Sequence, residues 1–194
     1  YLQIHLQEDE DDEYSVEPKE LPAVPQFLDV AIIKETKGRT MKGLPDGLDN
    51  LSKHNLMTYH SPHQIMESFS LQELLWHYVS YRKKESASLT QLLPEKGFRL
   101  YAVTTNCPNA MKEEGVTLKC LKEGVYEVPM FGSRTMRVIV ASEVRTRENN
   151  TPWLLFSGIP EKVEFAKTHH RWRHPQASSI VHCLYERYFA EKVF

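Results

Sequence analysis

Short apolar runs recur along the chain between glycines, prolines and charged residues, and their periods predict alternating strands and helices. Two runs, "QFLDVAIIKE" at 26–35 and "HNLMTYHS" at 54–61, have the apolar and β-branched composition of strands. The run "FRLYAVTT" at 98–105 predicts a third strand. Three shorter strands are predicted near residues 116–120, 125–128 and 135–144.

The segment from 70 to 85 has the spacing of an amphipathic helix. Ser70 and Glu73 match a capping box, in which two side chains satisfy the first free amides of a helix. The residues expected to share its buried face are Leu71, Leu74, Leu75, Tyr78 and Val79. Further helices are predicted at 107–115, where Gly115 ends the helix, at 160–170, where Pro160 begins it, and at 178–194.

This order of elements predicts a mixed α/β fold. The helix at 70–85 joins the strands near 57 and 102, which favours a right-handed crossover between parallel strands. We divide the chain into an acidic, partly extended segment at 1–26, a core at 27–150 and a C-terminal helical part at 151–194 that packs on the core. Six acidic residues in a row at 8–13 mark the first segment.

Composition excludes several classes of protein. The 24 basic and 26 acidic residues nearly balance, so no global charge favours nucleic acid or a membrane. No apolar run approaches the ~20 residues of a membrane span, and no signal peptide is seen. The start at Tyr1 leaves open a missing N-terminal element. Three cysteines in no zinc-like spacing favour reduced thiols and a cytoplasmic location.

Asp29 is the first candidate for chemistry, because it interrupts the apolar strand predicted at 26–35. A buried carboxylate costs several kcal/mol unless cations or hydrogen-bond donors compensate. Asp29 therefore either accepts hydrogen bonds at the strand end or binds a divalent metal. Metal-dependent cleavage of phosphodiesters uses carboxylates on adjacent strands, and it benefits from a lysine that positions the attacking water.

The runs "FLDVAIIK", "LPDGLDNLSKHNLMTYHS", "LQELLWHYVSYRKK", "LLPEKGFRLYAVTT", "GVYEVPMFGSRTMRVIVASEV" and "TPWLLFSG" occur in an order that resembles a bacterial branch of the PD-(D/E)xK nuclease superfamily. That branch lies close to the recombination-promoting nucleases and transposase-related proteins. The resemblance covers residues 27–165. It implies a restriction-endonuclease-like αβββαβ core, with a mixed sheet between helices, and magnesium-dependent cleavage of DNA.

The resemblance also implies a set of site residues. Asp29 matches the first metal-binding aspartate, Thr58 stands where a second acid is expected, and His60 stands where the lysine is expected. His77 and Tyr81 match a QxxxY pattern on the next helix, with histidine in place of glutamine. Because Thr58 is neutral and His60 is not a permanent cation, such a site would hold Mg²⁺ or Mn²⁺ weakly.

Three routes could compensate for the missing acid. The acid could come from the loop before the second strand or from the start of the helix, or the imidazoles could recruit manganese or zinc. The acids concerned are Asp46 and Asp49 in the loop, and Glu67 and Glu73 at the helix start. Zinc is disfavoured, because the histidines at 54, 60, 63, 169, 170 and 174 fit no zinc motif.

Basic residues near this site could bind nucleic-acid phosphates, although a solvated loop and helix end explain them equally well. They are Lys34, Lys53, Arg82, Lys83, Lys84, Arg171 and Arg173. The leading hypothesis is a protein derived from a mobile-element DNA nuclease, with an altered metal-dependent site. The alternative is a non-catalytic module that binds nucleic acid or protein on the same fold. The sequence leaves open whether catalysis survives, and it is compatible with an oligomer without predicting one.

Overall fold

The computed structural model describes residues 30–34, 43–130 and 134–169, and of residues 30–34 it describes the backbone alone. Within this part of the chain, a mixed β-sheet of six strands is flanked by helices, which confirms the α/β class. The strands are β1 (Val30–Lys34), β2 (His54–His60), β3 (Phe98–Thr104), β4 (Lys119–Lys122), β5 (Val125–Pro129) and β6 (Thr135–Val140). The α-helices are α1 (Ser68–Glu85), α2 (Asn109–Glu113), α3 (Thr151–Leu154) and α4 (Pro160–His169).

The strands lie in the order β1-β2-β3-β6-β5-β4. The three central strands, β2, β3 and β6, run parallel, whereas β1 on one side and β5 and β4 on the other pair antiparallel. Helix α1 follows β2 and leads back to the start of β3, so the predicted parallel pairing across this helix is confirmed. Two described strands precede α1, where the family resemblance implies three.

Both faces of the central sheet are buried, because β2 and β3 are apolar along almost their whole length. Side chains alternate between the faces of a strand. On one face, Leu56, Ala102 and Val138 form a cluster with residues of α1. On the other face, Met57, Tyr101 and Ile139 form a second cluster. The members from the C-terminal part of the chain are Trp153, Leu154, Phe156 and Ala166. The two helical layers therefore enclose the strands that carry the candidate site.

The start of α1 differs from the predicted capping box. The helix begins at Ser68, two residues earlier than predicted, and the residue before it makes no capping hydrogen bond through its side chain. Instead, the carboxylate of Glu114, just beyond α2, accepts a hydrogen bond of 2.8 Å from the amide of Ser68. This contact lowers the pKa of Glu114. The prediction that Val79 is buried is also wrong, since its side chain is 40% exposed.

The remaining element predictions divide into two groups. Those within the described chain are confirmed with small shifts, and the apolar run "TPWLLFSG" begins with the short helix α3. Several predictions lie outside the described residues: the acidic segment at 1–26, Asp29, Arg171, Arg173 and the helix at 178–194. Among the described helices, none has the length and apolar character required to cross a membrane.

Candidate functional site

The candidate site lies at the carboxyl end of β2, where Thr58 and His60 share one face of the sheet. A spacing of two residues places both side chains on the same side of a strand. That side is the α1 side, because Leu56, two residues earlier, packs in the α1 cluster. Thr58 is only 8% exposed and lies between two neighbouring strands, opposite Val30 of β1 and Ala102 of β3. His60 is half-buried at the end of the strand.

Hydrogen bonds hold the ends of β2 and β3 together beside this site. The amide of Thr105 donates to the carbonyl of His60 at 3.3 Å. The hydroxyls of Tyr59 and Thr105 lie 2.8 Å apart, and Thr105 donates in turn to the carbonyl of Phe156 at 3.0 Å. This buried chain of bonds links the site strands to the segment after α3. These bonds hold the end of β2, at Tyr59 and His60, against Thr105.

The structure does not bring Tyr81 to the same end of β2 as His60. The hydroxyl of Tyr81 lies 3.2 Å from Nδ1 of His54, at the opposite end of the strand. Six residues separate His54 from His60, which is about 20 Å along a strand. His77 is half-buried one helical turn before Tyr81, and its ring lies 5.2 Å from that of Trp76. The predicted site residues therefore form two groups at different ends of β2.

The donors at the carboxyl end of β2 do not fit magnesium. They are the neutral hydroxyl of Thr58 and the imidazole of His60, whereas Mg²⁺ requires mainly anionic oxygen ligands. In the part of the chain that the structure describes, no three His, Cys, Asp or Glu side chains are grouped so that they could hold a metal ion. No metal-dependent step is therefore assigned to Thr58 and His60. Asp29, which directly precedes β1 in sequence, is outside the described residues.

The loop acids proposed as replacements are engaged elsewhere. Asp49 accepts two hydrogen bonds from Arg137, of 2.7 and 3.2 Å, and these bonds hold the pKa of Asp49 below its ordinary value. Burial would raise the pKa of Asp46, but hydrogen bonds from Asn150 and Lys122 lower it overall. Both carboxylates thus stabilise the loop before β2.

The acids proposed at the helix start both have exposed side chains. Glu67 directly precedes α1, and its side chain is exposed. Glu73 is also exposed, six residues further along the chain. The described contacts therefore supply no replacement carboxylate beside Thr58.

Most of the basic residues predicted to contact phosphate converge on the other end of the sheet. The backbone of Lys34 lies opposite His54, and Lys53 directly precedes His54. The bond between Tyr81 and His54 places the end of α1 beside them. The basic side chains in that last turn are Arg82, Lys83 and Lys84. Arg82 is paired with Glu95 at 2.9 Å, whereas the lysines at 53, 83 and 84 are exposed.

Sequence reasoning missed a group of polar residues after β3 and β6. Tyr126 donates a hydrogen bond of 2.5 Å to Glu143, which raises the pKa of the Tyr126 hydroxyl. Lys112 lies 3.1 Å from the sulfur of Cys107, and this contact raises the pKa of Lys112. No sequence motif signals these contacts: Tyr126 of β5 meets a loop seventeen residues away, and Lys112 of α2 meets the loop before its own helix. The carboxyl ends of the parallel strands are therefore more polar than the sequence predicts.

Comparison with known proteins gives no identification. The chain matches no protein-family model, and neither a curated protein nor a solved structure matches it significantly. The arrangement of its own residues therefore carries the functional argument.

Proposed function

We propose that this chain is a PD-(D/E)xK-like domain derived from a mobile-element DNA nuclease, and that its phosphodiesterase site is altered. One observation carries the proposal. Thr58 and His60 occupy an acid-x-Lys spacing on one face of β2, where that strand lies between the start of β1 and the end of β3. This is where neighbouring strands could bring a carboxylate and a cation to one phosphodiester.

The side chains at positions 58 and 60 differ in chemistry from the acid and the lysine expected there. Thr58 offers a buried, uncharged hydroxyl, and His60 offers an imidazole, which is not a permanent cation. Neither replaces an acid that binds metal or a permanently charged lysine. We propose in addition that the mixed sheet and its helices form a restriction-endonuclease-like core. We also propose a cytoplasmic location, from the free thiols of Cys107 and Cys120.

Restoring the missing groups tests the proposal. The purified chain is incubated with supercoiled plasmid or single-stranded DNA and with Mg²⁺ or Mn²⁺. We expect little or no cleavage by the wild type. The double variant Thr58→Glu/His60→Lys should gain metal-dependent nicking, and adding Asp29→Ala should abolish it. The matched control, Thr58→Glu/His63→Lys, has the same charge but places its lysine on an exposed loop residue, and it should stay inactive.

Two results would contradict the altered-nuclease proposal. One is a folded Thr58→Glu/His60→Lys protein, verified by circular dichroism, that cleaves no DNA. The other is nicking that persists after Asp29→Ala, because the cleaving group would then lie elsewhere. Cleavage by the wild type that Asp29→Ala abolishes would show instead that the site is active as it stands.

A second candidate function is nucleic-acid binding without cleavage. It is favoured by the convergence of Lys34, Lys53, Lys83 and Lys84 on the end of the sheet remote from His60. Each phosphate contact that is lost should lower the slope of log K against log salt by roughly 0.9 for duplex DNA. The variant Lys53→Gln/Lys84→Gln should show this loss.

The matched control for nucleic-acid binding removes two lysines from elsewhere. Lys119 lies in β4 and Lys167 in α4, and both are exposed. Fluorescence anisotropy with a labelled duplex at several salt concentrations should give an unchanged slope for Lys119→Gln/Lys167→Gln. Equal slopes for both double variants would refute the basic end as the binding surface. A chain that neither binds nor cleaves would leave a protein-binding scaffold.

A further inference from the structure

The outward face of α1 exposes large apolar side chains in a regular stripe. Phe69 is 62% exposed, Trp76 is 58% exposed and Val79 is 40% exposed. Their separations of seven and three residues are those of a helical seam that packs against another helix. Ile65, which precedes the helix, is 73% exposed. We call Phe69, Trp76 and Val79 the α1 stripe.

The α1 stripe is separate from the face that holds the helix on the sheet. Leu71, Leu74 and Tyr78 already bury that opposite face in the core. The stripe is therefore not needed to dock α1 on its own sheet. Large apolar side chains that are exposed together on one helix face are typical of interaction surfaces.

The charges beside the stripe indicate which partner fits. Glu73 lies before Trp76 and Lys83 lies after it, and both are exposed. Ten residues, about 15 Å of helix, separate these two, so they do not pair within one helix. Neither makes an ion pair with another residue in the described ranges. In an antiparallel helix pair with its two-fold axis level with residue 78, Glu73 of each helix lies opposite Lys83 of the other.

We propose that the α1 stripe binds a second copy of this chain, forming a two-fold symmetric dimer. Such an interface is self-complementary, as a two-fold contact must be. Glu73 of one copy then faces Lys83 of the other, and Trp76 lies beside Val79 of the other copy. The apolar seam supplies the buried area, and the two pairs of opposite charges fix the antiparallel orientation.

Sedimentation equilibrium of the full chain tests the dimer. Without nucleic acid, the mass should rise to twice the 22.6 kDa of the chain as protein concentration increases over about 1–100 µM. The variant Trp76→Glu should weaken the dissociation constant by roughly tenfold or more. Leu89→Glu is the matched control, because Leu89 is 73% exposed but lies outside α1, and it should leave the dimer intact.

Charge exchange provides a second test that does not depend on Trp76. Glu73→Lys or Lys83→Glu alone should weaken the dimer, because like charges then face each other. The double variant Glu73→Lys/Lys83→Glu should restore it. Three results would overturn the dimer: a mass of 22.6 kDa at every concentration, equal weakening by Leu89→Glu, or no recovery in the double variant. The first would mean that another partner, or residues 178–194, covers the stripe.

Discussion

Removing the hydroxyl of Tyr59 should destabilise the protein by breaking the link between β2 and the segment after α3. Thr105 donates its single proton to Phe156, so the Tyr59 hydroxyl must donate to Thr105. Both groups are buried, and a hydrogen bond of this kind contributes about 1 kcal/mol to the free energy of unfolding. In a chain of this length, Tyr59→Phe should lower the melting temperature by about 2–4 °C.

Tyr78 provides the matched comparison. Its ring is buried in the α1 cluster, and its hydroxyl has no hydrogen-bond partner within the described part of the chain. Tyr78→Phe should therefore leave the free energy of unfolding unchanged or raise it slightly, because an unpaired buried hydroxyl is removed. Both variants would be measured by urea denaturation followed by circular dichroism. A Tyr59→Phe protein no less stable than Tyr78→Phe would refute the proposed bond chain.

Two further predictions concern the loops around the sheet. Gly124 has a φ of +73°, and an added Cβ would lie 2.5 Å from the amide of Val144. Gly124→Ala should therefore destabilise the fold by about 2 kcal/mol or more in urea denaturation. Gly115→Ala, with a similar φ but open space, should cost less, and equal costs would refute the clash. Asp49 has a pKa held below its ordinary value of 3.8, first by its hydrogen bonds from Arg137. The stabilisation from this contact is complete above that value and is lost as the pH falls through the lower folded-state pKa. As the pH is lowered below about 4, the urea unfolding midpoint of Asp49→Asn should therefore fall less steeply than that of the wild type. Parallel plots of midpoint against pH for the two proteins would contradict this.

The elements of the central sheet could be predicted, because its apolar runs are long and clear. β2 and β3 are buried on both faces, so their sequences are nearly continuous apolar runs rather than alternating ones. The residues between β2 and β3 have helical spacing, which predicts a helix that connects the two strands. A helical connection of this kind joins parallel strands, as β2 and β3 are. These elements are predictable because the burial pattern of each one is encoded in its own run of residues.

The start of α1 was not predictable, because its partner is distant in sequence. Ser70 and Glu73 have the composition of a capping box, but Glu114 accepts the hydrogen bond from the first turn. Forty-six positions separate Glu114 from Ser68, and no local pattern encodes that contact. Val79 illustrates a related limit: its apolar character predicts burial, but it lies outside the arc of α1 that faces the sheet.

The separation of Tyr81 from His60 follows from the lengths of the elements. The helix must return from the end of β2 to the start of β3, so it runs back along the strand. Thirteen residues of helix from Ser68 to Tyr81 cover about 20 Å, which equals the ~20 Å from His60 back to His54. Tyr81 therefore lies beside His54, and the two side chains are hydrogen-bonded.

Any contribution of α1 to chemistry at His60 must then come from its first turn, where Ser70 is buried. The spacing between His77 and Tyr81 says nothing about which end of the strand they reach, because only the direction and length of the crossover decide that. The distance of an α1 residue from the start of the helix therefore determines which end of β2 that residue reaches. Thr58 and His60 therefore lie at the end of β2 that is near the first turn of α1, whereas Tyr81 lies at the basic end of the sheet.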